Sequence, residues 1–284
     1  TFLSGSIQIV TGSPLNLLLL VIPLVLFHES AELSPAATFF LCCTAILPLA
    51  GMLGEATEQV ALHTNEAIGG LLNATFGNAT ELIVAVCALY KGLLNVVQVS
   101  LLGSILSNTL LVLGCSCIAG GLVQKQVKVN IVAASSNATL LHIAILGLVV
   151  PTMMESVGQV KPHDSVDLLL SRGISITLLI LYGFYIYFQL FTHAKLFDGS
   201  SRADEDGDEA EEEEEEAYMT LHCGLVWLFV ATVTIAYLSE ILTGAIEGTT
   251  KDLGISDTFV GFVILPIVGN AAEHSTAILM AAKS

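Results

Sequence analysis

The chain has 284 residues, 54% of them hydrophobic and 12% charged, with a mean hydropathy of +0.80. A soluble domain of this length carries roughly twice that charged fraction, so the composition points away from a soluble globular protein and toward a helical membrane protein with several spans. Net charge is −17, but residues 198–216 hold 12 of the 26 acids against one base, Arg202, so the rest carries −6; no basic cluster or aromatic–arginine stripe points to nucleic acid.

A spanning helix needs about 20 mostly apolar residues. In chain order, eight runs qualify or nearly so: 14–28, 36–62, 67–90, 93–121, 130–152, 168–193, 220–247 and 256–282. The first is short, and a chain opening on Thr1 is expected to lack its natural start. Period-two alternation is missing, which argues against a β-barrel. Short connections carry the helix breakers: Glu29 to Pro35, Lys91-Gly92, Gln124 to Lys128, Pro162 to Asp167 and Lys251 to Asp257. The long connection holds the acidic block DEDGDEAEEEEEE, which reads either as a solvated linker or as a cation-attracting segment beside a permeation path. Cys42, Cys43, Cys87, Cys115, Cys117 and Cys223 form no C-x-x-C pair and read as reduced packing residues. His63, His142, His193 and His222 show no ligand spacing.

Two of these runs contain nearly the same pentapeptide, GNATE at 77–81 and GNAAE at 269–273. The offset of 192 residues also places Glu55 on Glu247. The motifs lie on the third and eighth runs, five spans apart, so their helices cross the membrane in opposite directions. That is the pattern of an inverted-topology repeat, which sets a transport site near the bilayer midplane.

A charge at the centre of a spanning helix costs about 2.5–3.5 kcal/mol on insertion scales, so Glu81 and Glu273 need a compensating role. Asn78 and Glu81 share a helix face, as do Asn270 and Glu273, with His274 one turn beyond Asn270. Gly77 and Gly269 let backbone approach closely, and Pro266 relieves the carbonyl four residues back of its helical donor. Two carboxylates, amide oxygens and freed carbonyls suit a hard divalent cation such as Ca²⁺. Two ionised carboxylates neutralise one such ion. Without it they repel in a poorly solvated place, so at least one takes a proton, and cation and proton compete for the same groups. Glu55 and Glu58 precede the first motif, and Glu240 and Glu247 the second. They read as secondary proton sites or gates, or as helix-end residues. Ser104 and Asn108, on one helix face, either complete the oxygen nest or let helices pack. No H-E-x-x-H or G-x-S-x-G motif supports a membrane enzyme, and no cofactor is expected beyond the transported Ca²⁺ and H⁺.

GGLLNATFGNATEL at 69–82, SLLGSILSNTLLVLG at 100–114 and LPIVGNAAEH at 265–274 resemble the CAX-type vacuolar cation/proton exchangers of plants and fungi, along nearly the whole chain. Sodium/calcium exchangers are a more distant resemblance, with Ser/Thr and Pro ahead of the motif Glu. The resemblance implies an all-α polytopic membrane protein with the inverted-repeat exchanger fold and 11 helices, about 8 of them present here. Residues 1–33 would be an extra N-terminal helix, 34–196 the first five-helix repeat, 197–218 an acidic loop facing the cytosol, and 219–284 an incomplete second repeat. Glu81 and Glu273 become the central cation-binding, proton-exchanging acids, supported by Asn78, Asn270 and nearby backbone. Glu58, Glu240 and His274 match family positions, and GSILSN places Ser104 and Asn108 at the site. The implied activity is Ca²⁺/H⁺ antiport at the vacuolar membrane, with a divalent cation as substrate and lipid as surroundings. Because three further helices are implied beyond Ser284, this chain alone is expected not to transport; the alternative is a non-transporting form that regulates a full-length exchanger. Self-association or association with such an exchanger completes the expected partners.

Overall fold

The structure, a computed structural model, describes residues 1–124, 130–158, 165–197 and 217–283; the acidic stretch 198–216 lies outside them. Among the described residues, six helices are long and apolar enough to cross a membrane, and two bent helix pairs bring the number to eight if each pair is one span. The chain is thus a multi-pass helical membrane protein.

The N-terminal segment differs in shape from a single run over 14–28. It is an L, α1 (Phe2–Thr11) followed by α2 (Pro14–Leu26) with an 89° bend. Pro14 lacks an N–H and pushes Ser13 into extended backbone (φ −125°, ψ 137°), which stops α1. The Asn16 amide, buried, donates to the Ile9 carbonyl at 2.9 Å and pins the corner. Trp227 Nε1 donates to Ser6 Oγ at 3.0 Å and ties α1 to the body.

Helix α3 (Pro35–Ala61) starts where Ser34 caps the Ala37 N–H and Pro35 takes the first turn. The next span is broken into α4 (Glu66–Phe76) and α5 (Ala79–Tyr90). Gly92, at φ +77°, turns the chain into α6 (Leu94–Val123), which widens to a π-helical turn at Ser107–Val112. Helices α7 (Ile131–Ser156) and α8 (Ser165–Thr192) follow. The second part begins with α9 (Leu221–Leu253), capped by Thr220 and closed by Gly254 at φ +65°. The last span is again broken, into α10 (Asp257–Gly269), with a π-helical turn at Val260–Ile264, and α11 (Ala271–Lys283).

Two compact units result. Residues 128–214 form one, in which α7 and α8 run antiparallel: Asn137 accepts from the Tyr185 hydroxyl, Gly147 faces Leu178, and Asn130 donates to the Leu196 carbonyl. None of the described residues of these two helices is buried, as suits faces that meet lipid. The other unit comprises 1–127 and 215–284 and holds the core. There α3 packs along α9 through Phe39, Ile46 and Leu53 against Ile235, Leu238 and Leu242, all at most 1% exposed. Lipid tails are as apolar as these side chains, so close packing rather than water exclusion holds the pair.

Two glycines set the α3–α9 distance. A Cβ at Gly224 would lie 2.7 Å from Val60 Cγ2, and one at Gly248 would lie 2.5 Å from Pro35 Cβ. The start of α9 therefore meets the end of α3, and the reverse, so the helices are antiparallel. Each leads into a broken helix carrying one pentapeptide, and the two arrangements are inverted copies. The Pro35 ring cannot rotate away, so Gly248→Ala is expected to lower stability by about 1–3 kcal/mol. Gly244→Ala, with Lys91 Nζ at 3.9 Å the only near atom among the described residues, is expected to be neutral or stabilising by up to ~1 kcal/mol. Thermal unfolding of both variants in detergent checks the pair.

Candidate cation site

Both pentapeptides sit at helix breaks. Asn78 (φ −99°, ψ 11°) and Asn270 (φ −95°, ψ 17°) adopt the same bridge-region backbone, 192 positions apart. The helix resumes at Ala79 and at Ala271, so Glu81 and Glu273 each occupy a first turn. A helix N-terminus carries positive partial charge, which favours a carboxylate there.

The two motifs meet in the larger unit. The Glu81 side chain lies over Gly269, where a Cβ would stand 3.2 Å from Glu81 Cγ. Glu81 Oε1 accepts from Ser104 Oγ, and Ser104 Oγ accepts from Asn270 Nδ2 at 3.0 Å. Asn270, from the second motif, is thereby joined through α6 to the carboxylate of the first, and is itself 1% exposed. Glu81 and Glu273 are close enough for their charges to interact, and Glu273 Oε2 is buried without a hydrogen-bond partner among the described residues. A cavity of about 20 Å³, room for about one water-sized sphere, is lined by Glu81, Ser100, Ser104, Pro266 and Gly269 among others. Carboxylate, hydroxyl and amide oxygens are the ligand types that suit a hard cation.

Helices α6 and α10 cross here at contact distance. A Cβ at Gly103 would lie 2.3 Å from the Phe262 carbonyl oxygen and 2.7 Å from Pro266 Cγ; one at Gly261 would lie 2.6 Å from Val99 Cγ2. The Phe262 carbonyl, four residues before Pro266, points at α6 rather than into the cavity lining.

The remaining sequence candidates lie elsewhere or face outward. Asn78 is exposed, its amide donating to the Ala74 carbonyl in α4, before the break, at 3.4 Å, and Gly77 and Asn108 are exposed. On the opposite flank of Glu273, His274 Nε2 pairs with Ser107 Oγ at 3.1 Å. Glu55 accepts from the Tyr218 hydroxyl, which burial, and then this bond, push above its ordinary value, so it remains a donor. Glu58 and Glu240 are exposed, and exposed Glu247 pairs with Lys251 at 2.7 Å one helical turn on. Ser107 and Tyr218 were not candidates from sequence. Ser107 had a signal, since 104/107 and 270/274, at three and four residues, are each about one helical turn. Tyr218 had none, being 163 residues from its partner. All six cysteines are free thiols, three of them buried.

Fold and site define an inverted-repeat membrane protein of the cation-exchanger fold. Residues 34–191 and 223–284 match the sodium/calcium exchanger protein family, and the chain belongs to that family. It is 43% identical over 278 residues to vacuolar cation/proton exchanger 2 of Oryza sativa subsp. japonica, covering 97% of this chain and 63% of that protein. It is 39% identical over 273 residues to the Ca(2+)/H(+) antiporter of Aphanothece halophytica, covering 94% and 73%. The structure of native YfkE superposes with a TM-score of 0.73 at 34% identity, covering 95% of this chain and 73% of YfkE. The chain thus spans just under two thirds of the length of the Oryza exchanger.

Proposed function

We propose that this chain carries the cation site of a secondary antiporter that exchanges Ca²⁺ for H⁺, and that it resides in the vacuolar membrane. The observation that carries the reading is the meeting of the two motifs: Glu81 lies on Gly269 and is linked through Ser104 to Asn270. The names of the relatives, vacuolar cation/proton exchanger and Ca(2+)/H(+) antiporter, support it.

In this reading Glu81 and Glu273 together balance the charge of one divalent ion, while Ser104 and Asn270 supply neutral oxygens. When the ion leaves, two uncompensated carboxylates in a poorly solvated cavity repel, and protons take its place. Cation and proton then cannot occupy the site together, which couples their opposite movements. The half-helix N-termini at Ala79 and Ala271 hold the carboxylates in place through either state.

The test is ⁴⁵Ca²⁺ uptake into sealed vesicles under an imposed pH gradient, with the chain built into a full-length exchanger in place of the matching segment, because the chain alone is expected not to transport. Uptake that stops when the gradient is collapsed is expected. Uptake indifferent to the gradient overturns proton coupling, and no uptake overturns the transport reading.

A further inference from the structure

Glu273 has a buried oxygen, Oε2, with no hydrogen-bond partner among the described residues; its carboxyl bonds only to its own backbone, so nothing outside α11 fixes where that oxygen points. Its aim is set by α11, and α11 is held at two places beside it. Asn270, before it, donates to Ser104 at 3.0 Å, and His274, after it, pairs with Ser107 at 3.1 Å. Ser104 and Ser107 are one turn apart on α6, and Asn270 and His274 one turn apart across the break into α11, so the two bonds form parallel rungs on facing surfaces. Ser107 also opens the π-helical turn Ser107–Val112, whose wider winding begins where α11 packs against α6.

We infer that Ser107 is a positioning residue: through His274 it fixes the rotation of α11 and so aims the Glu273 carboxylate into the cation site. A hydroxyl both donates and accepts, so this rung forms with either imidazole tautomer and needs no change of protonation. Without it, α11 keeps one hydrogen bond beside Glu273, from Asn270, and its apolar packing on α6 and α3, which sets its roll less sharply than a second bond does. Partners one layer behind a metal ligand are typically worth 10–100-fold in affinity. The inference rests on the proposed cation site and extends it to a residue outside the pentapeptides.

The experiment measures Ca²⁺ binding by titration calorimetry, with thermal unfolding alongside, on the purified chain and on Ser107→Ala, Ser107→Thr, His274→Gln and the Ser107→Ala/His274→Gln double variant. Ser107→Ala is expected to weaken binding ~10-fold with the melting temperature unchanged. Ser107→Thr, which keeps the hydroxyl, regains most of the loss, and the double variant binds like His274→Gln alone. Ser107→Ala binding like the unsubstituted chain overturns the inference and leaves the proposed function standing. So does an equal further loss in the His274→Gln background, because Ser107 then acts by another route. Weakened binding in both Ser107→Ala and Ser107→Thr with a lowered melting temperature also overturns it, as that marks a packing role. No Ca²⁺ binding by the unsubstituted chain overturns the proposed site and the inference together.

Discussion

Glu273→Gln is expected to lower pH-gradient-driven Ca²⁺ uptake by at least ~100-fold while leaving thermal stability equal or higher. Losing a partner one layer behind a metal ligand already costs 10–100-fold, and this substitution removes a proposed ligand and half the counter-charge of a divalent ion. Gln keeps the shape but cannot balance the cation or exchange a proton. The stability side follows from the orphaned Glu273 Oε2. A buried carboxylate without its cation is a cost to the fold, and an amide of the same size lessens it. Glu81→Gln is expected to lose transport to the same degree, while the amide oxygen still accepts from Ser104, so the link to Asn270 survives. Uptake and thermal unfolding measured on the same preparations check both sides. Retained uptake in either variant would remove that carboxylate from the exchange step, and a collapse in stability would mean it holds the bundle together.

Gly103→Ala carries the second large effect, through backbone rather than charge. Its new methyl would stand 2.3 Å from the Phe262 carbonyl oxygen and 2.7 Å from the Pro266 ring. Neither atom sits at the end of a flexible side chain, so α6 and α10 must separate. The expected loss is at the upper end of overpacking costs, about 3 kcal/mol. Ser104, the next residue, moves with α6, so the hydrogen bonds to Glu81 and from Asn270 weaken together. Ca²⁺ uptake and melting temperature should therefore fall in parallel, unlike in Glu273→Gln. Gly114→Ala, further along the same helix with no atom of the described residues within 4 Å of its new methyl, is the control and should change neither. A stable, fully active Gly103→Ala would show that the crossing can open without disturbing the carboxylates.

The helical class and the number of apolar runs were legible in sequence because a bilayer imposes length and hydropathy on each span separately. The repeat was legible too, since GNATE and GNAAE are local strings at a constant offset. The breaks within those spans were not. Nothing in the Asn-Ala pairs distinguishes a continuous apolar helix from one stopped at Asn78 and Asn270 and restarted with a carboxylate in its first turn. The right-angle corner after α1 was readable at Pro14 only once residues 2–11 were seen to be helical.

Equivalence in sequence also failed to become equivalence in space. Gly77 and Asn78 are exposed while Gly269 and Asn270 are buried, and Glu55 meets Tyr218 while its counterpart Glu247 pairs with Lys251. The sequence by itself determined the number of apolar runs, their inverted order and the residue types able to hold a cation, because each of these follows from spacing along the chain. Only the tertiary structure decided which of them meet. The bonds from Ser104 to Asn270, Ser107 to His274 and Tyr218 to Glu55 join residues 163 to 167 positions apart. Such contacts depend on how closely helices cross, which is set by glycines such as 103, 248 and 261 acting on partners in other helices.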